Sequence, residues 1–469
     1  MRFSLPIALV VLFLSSLLLP KNGMTEEKPG EEFQWGFAEV DITPPLGKNP
    51  VYVAGFGHNR LATGVHDPLL VRTVVIKGKG KKIALACADL VGLFNHEVEK
   101  IRQGLPNFDY VLVSTTHNHE GPDTLGLWGK SQFQSGIDHA YMDLVREKVI
   151  QSVQEAEKKC APGTAKIGQV QLPELLHDSR EPQIKLDTLT ALTIQGKNQQ
   201  ALGTMVFWHC HPETLASENK LISSDFVGYA AKEIEKQIGG KSVLFTGAVG
   251  GLMTSLRVPI KDSKGELLKD GSYEKTERYG KLLAKGCVDS LKAGAKLNLS
   301  TLSVRAKKIY LPVDNPLYRL AGQLGVFKRP NYEFDANTRE GTGPIEGAKN
   351  PAIQTEVAIV RIGDLSIACI PGEIYPELVL GKVVEKAEKE ADFPEAPIEP
   401  PVFHSLKTKY QTMVGLANDE VGYILPKRQW DEKKPFAYGR KTAPYGEVNS
   451  LGPETAKLIC ESLQFLSKE

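Results

Sequence analysis

Two hydrophobic rhythms alternate along this chain. Short, nearly continuous apolar runs predict strands at residues 69–76, 83–90, 110–114, 204–208, 243–246, 357–362 and 365–370. Between them, amphipathic stretches with helical spacing occupy 141–156, 226–238, 273–291, 376–389 and 453–466. Interleaved strands and helices indicate an α/β fold. The runs at 357–362 and 365–370 are separated only by Gly363 and Asp364, which predicts a hairpin. Mixed β-sheets flanked by helices are therefore expected. Two stretches break the rhythm and predict long loops: 312–351, rich in Gly, Pro and Asn, and 391–401, with four prolines.

The N-terminus follows a different rule. Phe3 to Leu19 carry no charge, Arg2 precedes them and Lys21 ends the run. A basic start followed by an apolar stretch reads as a signal peptide, assigned to residues 1–24, so the protein is expected to be exported, secreted or periplasmic. No A-x-A triplet follows, which leaves an uncleaved membrane anchor as the alternative. A single folded domain is expected over 33–469. Lys plus Arg number 57 and Asp plus Glu 56, so the net charge of +1 offers no electrostatic reason to expect nucleic acid. The six cysteines form no C-x-x-C pair, which argues against a thiolate zinc cage. Cys87 and Cys369 lie in apolar runs and read as small buried hydrophobes.

Three segments carry candidate chemistry. In THNHEGPDT, residues 116–124, His117 and His119 lie two apart at the end of an apolar run. On extended backbone they would point the same way. In WHCHPETL, residues 208–215, His209 and His211 repeat that spacing before Pro212. One such histidine is more often a satisfied core residue. Two strand-end pairs far apart in sequence favour a shared metal, because catalytic zinc sites gather ligands from distant elements. In IACIPGEIYPEL, residues 367–378, Glu373 follows a Pro-Gly turn. Alone it reads as a helix N-terminal carboxylate. With two histidines it would complete a zinc set that leaves room for water. Asp41, Asp67 and Asp225 read as caps or braces, and His66 as a residue near the site or outside it. No Lys follows Gly247, Gly250 and Gly251, which rejects a phosphate-binding loop.

The order of these segments resembles the catalytic domain of the neutral/alkaline non-lysosomal ceramidases. The matching pieces are AEVDITPPLG, GVHDPLLVRTVVI, ACADLVG, STTHNHEGPDT, HPETL, SSDFVGYA, IPGEI and LANDEVGYILP, spread over roughly residues 36–450. The resemblance implies a neutral-ceramidase-like fold and one Zn²⁺ per chain held by His117, His211, Glu373 and Tyr423. It implies His119 as the proton-transfer residue, Arg180 in the pocket and Tyr445 near the C-terminal end, with Tyr438 competing for that last role. The implied activity is cleavage of the amide bond of an N-acyl sphingolipid by metal-activated water. The expected partner is an N-acyl lipid or other small amide, with peripheral membrane contact left open. Gly250 stands where the family has a serine proposed as catalytic, which puts ceramide itself in question. A same-fold amidase or esterase on another conjugate is the alternative, and a non-catalytic metal-binding protein is a third reading.

Overall fold

A computed structural model describes residue 1 and residues 32–468. The expected signal peptide lies outside the described residues. The first sheet is built from β1 (Gln34–Asp41), β2 (Leu70–Gly78), β3 (Lys81–Ala88), β4 (Tyr110–Thr115), β5 (Ala161–Gln171), β6 (Thr188–Gly196), β7 (Ala201–Trp208) and β8 (Lys241–Thr246), with a short β9 (Ala295–Lys296) on β5. Its order is β8-β7-β6-β5-β1-β2-β3-β4. The second sheet holds β10 (Leu302–Pro312), β11 (Tyr332–Asp335), β12 (Glu340–Thr342), β13 (Pro351–Ile362), β14 (Leu365–Cys369) and β15 (Tyr410–Val414), in the order β12-β11-β13-β14-β15 with β10 on β13. Both sheets mix parallel and antiparallel pairs, as the patterning predicts. The predicted hairpin is the antiparallel pair β13–β14.

Alternation along the strands decides what faces what. On β3, Ile83, Leu85 and Cys87 join a core shared with Val360, Ile362 and Ile367 of the second sheet. Ala84, Ala86 and Ala88 face the other way, beneath α1 (Asn95–Gln103) and α2 (His139–Lys158). Large side chains fill the space between sheets and alanines admit a helix. Burying one such Leu or Ile contributes about 1.5–3 kcal/mol. The other half of the first sheet is covered by α3 (Asp225–Ile238) and α4 (Tyr273–Ala293). Beyond these helices lie α5 (Pro316–Gln323), α6 (Pro376–Leu380), α7 (Val402–Ser405), α8 (Tyr445–Val448) and α9 (Thr455–Lys468). Of these, α6, α7 and α9 pack on the outer face of the second sheet. The layers run helix, sheet, sheet, helix. Because most strands are buried on both faces, they read in sequence as continuous apolar runs rather than alternating ones.

Three expectations need correction. The helix expected over 376–389 stops at Leu380, because Gly381 takes a left-handed φ of 70° and ends it. The loop expected over 312–351 contains α5 and the β11–β12 hairpin. Asp225 does not cap α3; Ser224 is the cap residue, and the Asp225 carboxylate accepts from Leu215 N (3.0 Å) and Phe226 N (2.6 Å).

Several parallel strands end at one side of the sandwich. The pairs Ala88–Thr115, Trp208–Thr246 and Cys369–Val414 mark the carboxyl ends of β3/β4, β7/β8 and β14/β15. The segments that follow are stitched together. Thr246 Oγ1 donates to Thr116 O (2.7 Å), Gly415 N to Thr246 O (2.8 Å), and Asn418 N to Val113 O (2.8 Å). Loops at strand carboxyl ends are where open α/β sheets build sites.

Candidate metal centre and cavity

His117 is not on extended backbone. β4 ends at Thr115, and His117 has φ 62°. The expectation that a period of two aligns His117 and His119 therefore fails, yet the turn brings their rings to 4.9 Å. His211 joins them, 4.9 Å from His117 and 5.5 Å from His119 by ring centroids. All three are buried, and one ring nitrogen from each lies within 4.8 Å of the others.

Backbone carbonyls orient two of these rings. His117 Nδ1 donates to Val91 O and His211 Nδ1 to Met253 O, each at 2.7 Å, the tautomers following from those acceptors. The Nε2 atoms of both rings face one carboxylate. Glu373 Oε2 lies 3.0 Å from His211 Nε2 and 3.4 Å from His117 Nε2. Metal-ligating histidines are held in this way, through the nitrogen that does not ligate. Burial opposes ionisation of Glu373, but His117 and His211 outweigh it and hold the carboxyl well below its ordinary range.

Glu373 and Tyr423 come together through a register, not through sequence proximity. Glu373–Ile374 pairs in parallel with Tyr423–Ile424, so Glu373 and Tyr423 are direct partners. Glu373 thus lies in this short strand, and α6 begins three residues later. Burial first, and then the neighbouring Glu373, raise the Tyr423 hydroxyl well above its usual pKa, and the two side chains are hydrogen-bonded. Two imidazoles, a carboxylate and a phenol oxygen thus converge from four separate segments of the chain. This donor set fits Zn²⁺.

His119 stands slightly apart. Its Nδ1 faces Glu213 Oε2 at 3.3 Å. Gly55 (φ 95°) backs the ring so closely that a Cβ there would lie 2.2 Å from His119 Cγ. Phe56 meets its edge at 5.2 Å, and buried Arg60 donates to His119 O. Burial lowers its pKa to about 4 despite Glu213, leaving a neutral imidazole at pH 7. Glu213 escaped the sequence reading, although it lies two residues past His211 in HPETL.

Arg180 does not face the cavity. It grips both carboxylate oxygens of Glu447 (Nη2 to Oε1 2.6 Å), donates to Gln429 O (3.1 Å) and lies 5.4 Å over the Tyr375 ring. Glu447 belongs to α8, whose first residue, Tyr445, lines the cavity and stacks edge-on with Tyr423 at 5.8 Å. Tyr438 lies outside the lining, against Arg440. His66 is also outside it, stacked on Tyr273 and bonded to Asp67, which braces Ser223 and Ser224. His209 turns into the core, where its Nδ1 accepts from Ala248 N (3.0 Å).

His117, His119, His211, Glu373 and Tyr423 lie together in the lining of a cavity of about 1550 Å³ and form its floor. Its walls are largely apolar, with Phe94, Leu125, Trp128, Phe327, Ile353 and Leu451 among them. Charged side chains, including Arg257, Arg319 and Lys349, also line it. Gly250 lies under the floor. A Cβ there would be 2.5 Å from the backbone carbon of Ile374 and the nitrogen of Tyr375, so no side chain fits. The described cysteines are all unpaired, and burial pushes the Cys87 thiol up to about 12.

The chain is similar to known proteins. Residues 33–256 match the family model for neutral/alkaline non-lysosomal ceramidase, N-terminal. The neutral ceramidase of Pseudomonas aeruginosa is 22% identical over 260 residues, which is 50% of this chain and 38% of that protein. Neutral ceramidase B of Dictyostelium discoideum is 23% identical over 257 residues (49% and 35%), and the neutral ceramidase of Mycobacterium tuberculosis 25% over 218 (40% and 34%). These matches span little more than a third of each relative. The crystal structure of the Pseudomonas aeruginosa enzyme superposes with a TM-score of 0.69 at 15% identity, covering 93% of this chain and 74% of that one. The fold is that of neutral ceramidase, and residues 33–256 are similar to the N-terminal part of the neutral/alkaline non-lysosomal ceramidases.

Proposed function

We propose that this protein is an exported zinc amidohydrolase that cleaves the amide bond of an N-acyl lipid. The observation that carries this reading is the convergence of two oriented Nε2 atoms on Glu373, with Tyr423 beside it, at the floor of an apolar-walled cavity. His117, His211, Glu373 and Tyr423 would hold the ion, which when bound lowers the pKa of a coordinated water towards about 7 and polarises a carbonyl.

The remaining steps belong to side chains. Glu213 at Nδ1 favours the tautomer of His119 with a basic Nε2. That nitrogen takes a proton from water and returns it to the leaving amine. Tyr445, a phenol that stays protonated at neutral pH, lines the cavity and donates to the oxygen that becomes negative. Arg180 holds Tyr445 in place through Glu447. The apolar wall accepts an acyl chain. Gly250 leaves no serine hydroxyl at its position, so water is the nucleophile.

A second reading of the ligands follows from the three-histidine cluster. His119 could join His117 and His211 as a ligand. Metal analysis of the purified chain, with turnover of a fluorogenic N-acyl sphingosine before and after chelation, tests the proposal. One zinc per chain and chelator-sensitive turnover are expected. Zinc with turnover only of other amides or esters would move the substrate. A chain with neither metal nor turnover would sink the reading.

A further inference from the structure

Beside the cavity, α5 breaks the usual rule for a surface helix. None of its residues is buried. Leu317 (56% exposed), Leu320 (44%) and, just past its end, Leu324 (51%) follow an i, i+3, i+7 spacing and form one outward stripe. Tyr318, Arg319, Gly322 and Gln323, on the other side of the same helix, line the cavity. The three leucines do not. Asn315 caps α5, accepting from Leu317 N (2.9 Å), and also donates to Val448 O (2.8 Å). That bond ties α5 to α8, where Val448 and Tyr445 are exposed as well. An isolated exposed leucine needs no explanation; a stripe on an unburied helix at the mouth of a cavity does.

The charge at this mouth is basic. Arg257, Arg319 and Lys349 line it and are exposed, against Glu346. Arg319 approaches Asp314 at 3.6 Å. Among the described residues, the side chains of Arg257 and Lys349 make no ion pair. Leucines beside exposed cations match a surface whose headgroups are anionic and whose interior is apolar.

We infer that α5, with Val448, is the face by which this protein sits on an anionic phospholipid surface, with the cavity mouth opening onto the lipid. Leu317, Leu320 and Leu324 enter the acyl boundary, and the unpaired Arg257 and Lys349 at the cavity mouth meet phosphate groups. The substrate then passes from the bilayer into the cavity without crossing water. The direction of entry rests on the proposed lipid substrate. Binding to the surface does not, and can be measured without turnover.

The test uses the full chain and sedimentation with vesicles of phosphatidylcholine alone or with phosphatidylglycerol. Co-sedimentation with the anionic vesicles is expected, at least tenfold weaker at 0.5 M salt by screening of exposed charge. The L317E/L320E/L324E variant should bind at least tenfold more weakly while keeping its melting curve and its turnover of a soluble short-chain amide. In Leu324→Trp, the new indole should shift to shorter emission wavelength on adding anionic vesicles, a readout that survives any folding defect of the triple variant. Absence of binding to either vesicle, or binding that the triple variant leaves unchanged, overturns the inference. So does a wild-type dimer that the triple variant dissociates without lipid, since the stripe would then be a contact between two copies.

Discussion

The two H-x-H segments look alike in sequence and end differently. In 117–119, both imidazoles enter the site. In 209–211, only His211 does, while His209 accepts a backbone N–H in the core. The difference lies in the backbone. After β4 the chain turns at once through a left-handed His117, which swings both rings to one side. After β7, His211 forms a parallel bridge to Thr254 and stays close to strand geometry, with His209 tucked beneath Gly247. Equal spacing therefore carries no equal role, and substitutions should separate the four histidines.

The largest effect is expected at the oriented pair. His117→Ala or His211→Ala should abolish bound zinc and lower kcat/KM by about 10³-fold or more, about 4 kcal/mol of transition-state stabilisation; metal stoichiometry with kinetics checks both. His119→Ala should keep the zinc and lower kcat by about 10²–10⁴-fold. Loss of zinc in that variant would instead favour three histidine ligands. His209→Ala should leave metal and kcat intact but cost about 1–3 kcal/mol in urea unfolding, because Ala248 N loses its acceptor in the core. Gly250→Ser should also cost about 1–3 kcal/mol through overpacking against Ile374 and Tyr375, without gain of a serine-dependent burst.

The smallest effect lies away from the site. Burial raises the Glu97 carboxyl, but His96, Lys100 and Arg146 outweigh it and hold the pKa near about 2. Its contribution is present above the unfolded value of 4.5 and is lost as pH falls through about 2. Glu97→Gln should therefore flatten the acid limb of stability between those values and leave the neutral range nearly unchanged. Urea midpoints over that pH range measure it, and an unaltered acid limb would refute it.

Local patterns were legible where one rule dominated. The β4 run, the β13–β14 hairpin and the helices starting near Asp225 and Tyr273 follow from apolar periodicity and turn residues. Others were hidden. β5 mixes glycines, a lysine and glutamines with apolar residues, and β10 mixes a serine, an arginine and lysines, so their strands lack a clean run. Gly381 cut α6 short where amphipathic spacing continued. Resemblance named Arg180 for the pocket, but no local signal said that Glu447 would occupy its fork.

Sequence alone determined the inventory: strand-end histidines, a carboxylate after a Pro-Gly turn, a tyrosine after Gly422, and apolar runs that demand burial on both faces. Tertiary structure decided which of these meet. The partnership of Glu373 with Tyr423 depends on a strand register between residues far apart in the chain, and no local preference encodes it. Likewise, Val91 O and Met253 O select the free nitrogen of each imidazole. A hydrogen bond to a distant carbonyl exists only after two sheets have packed, because only then is water excluded and that acceptor the one available.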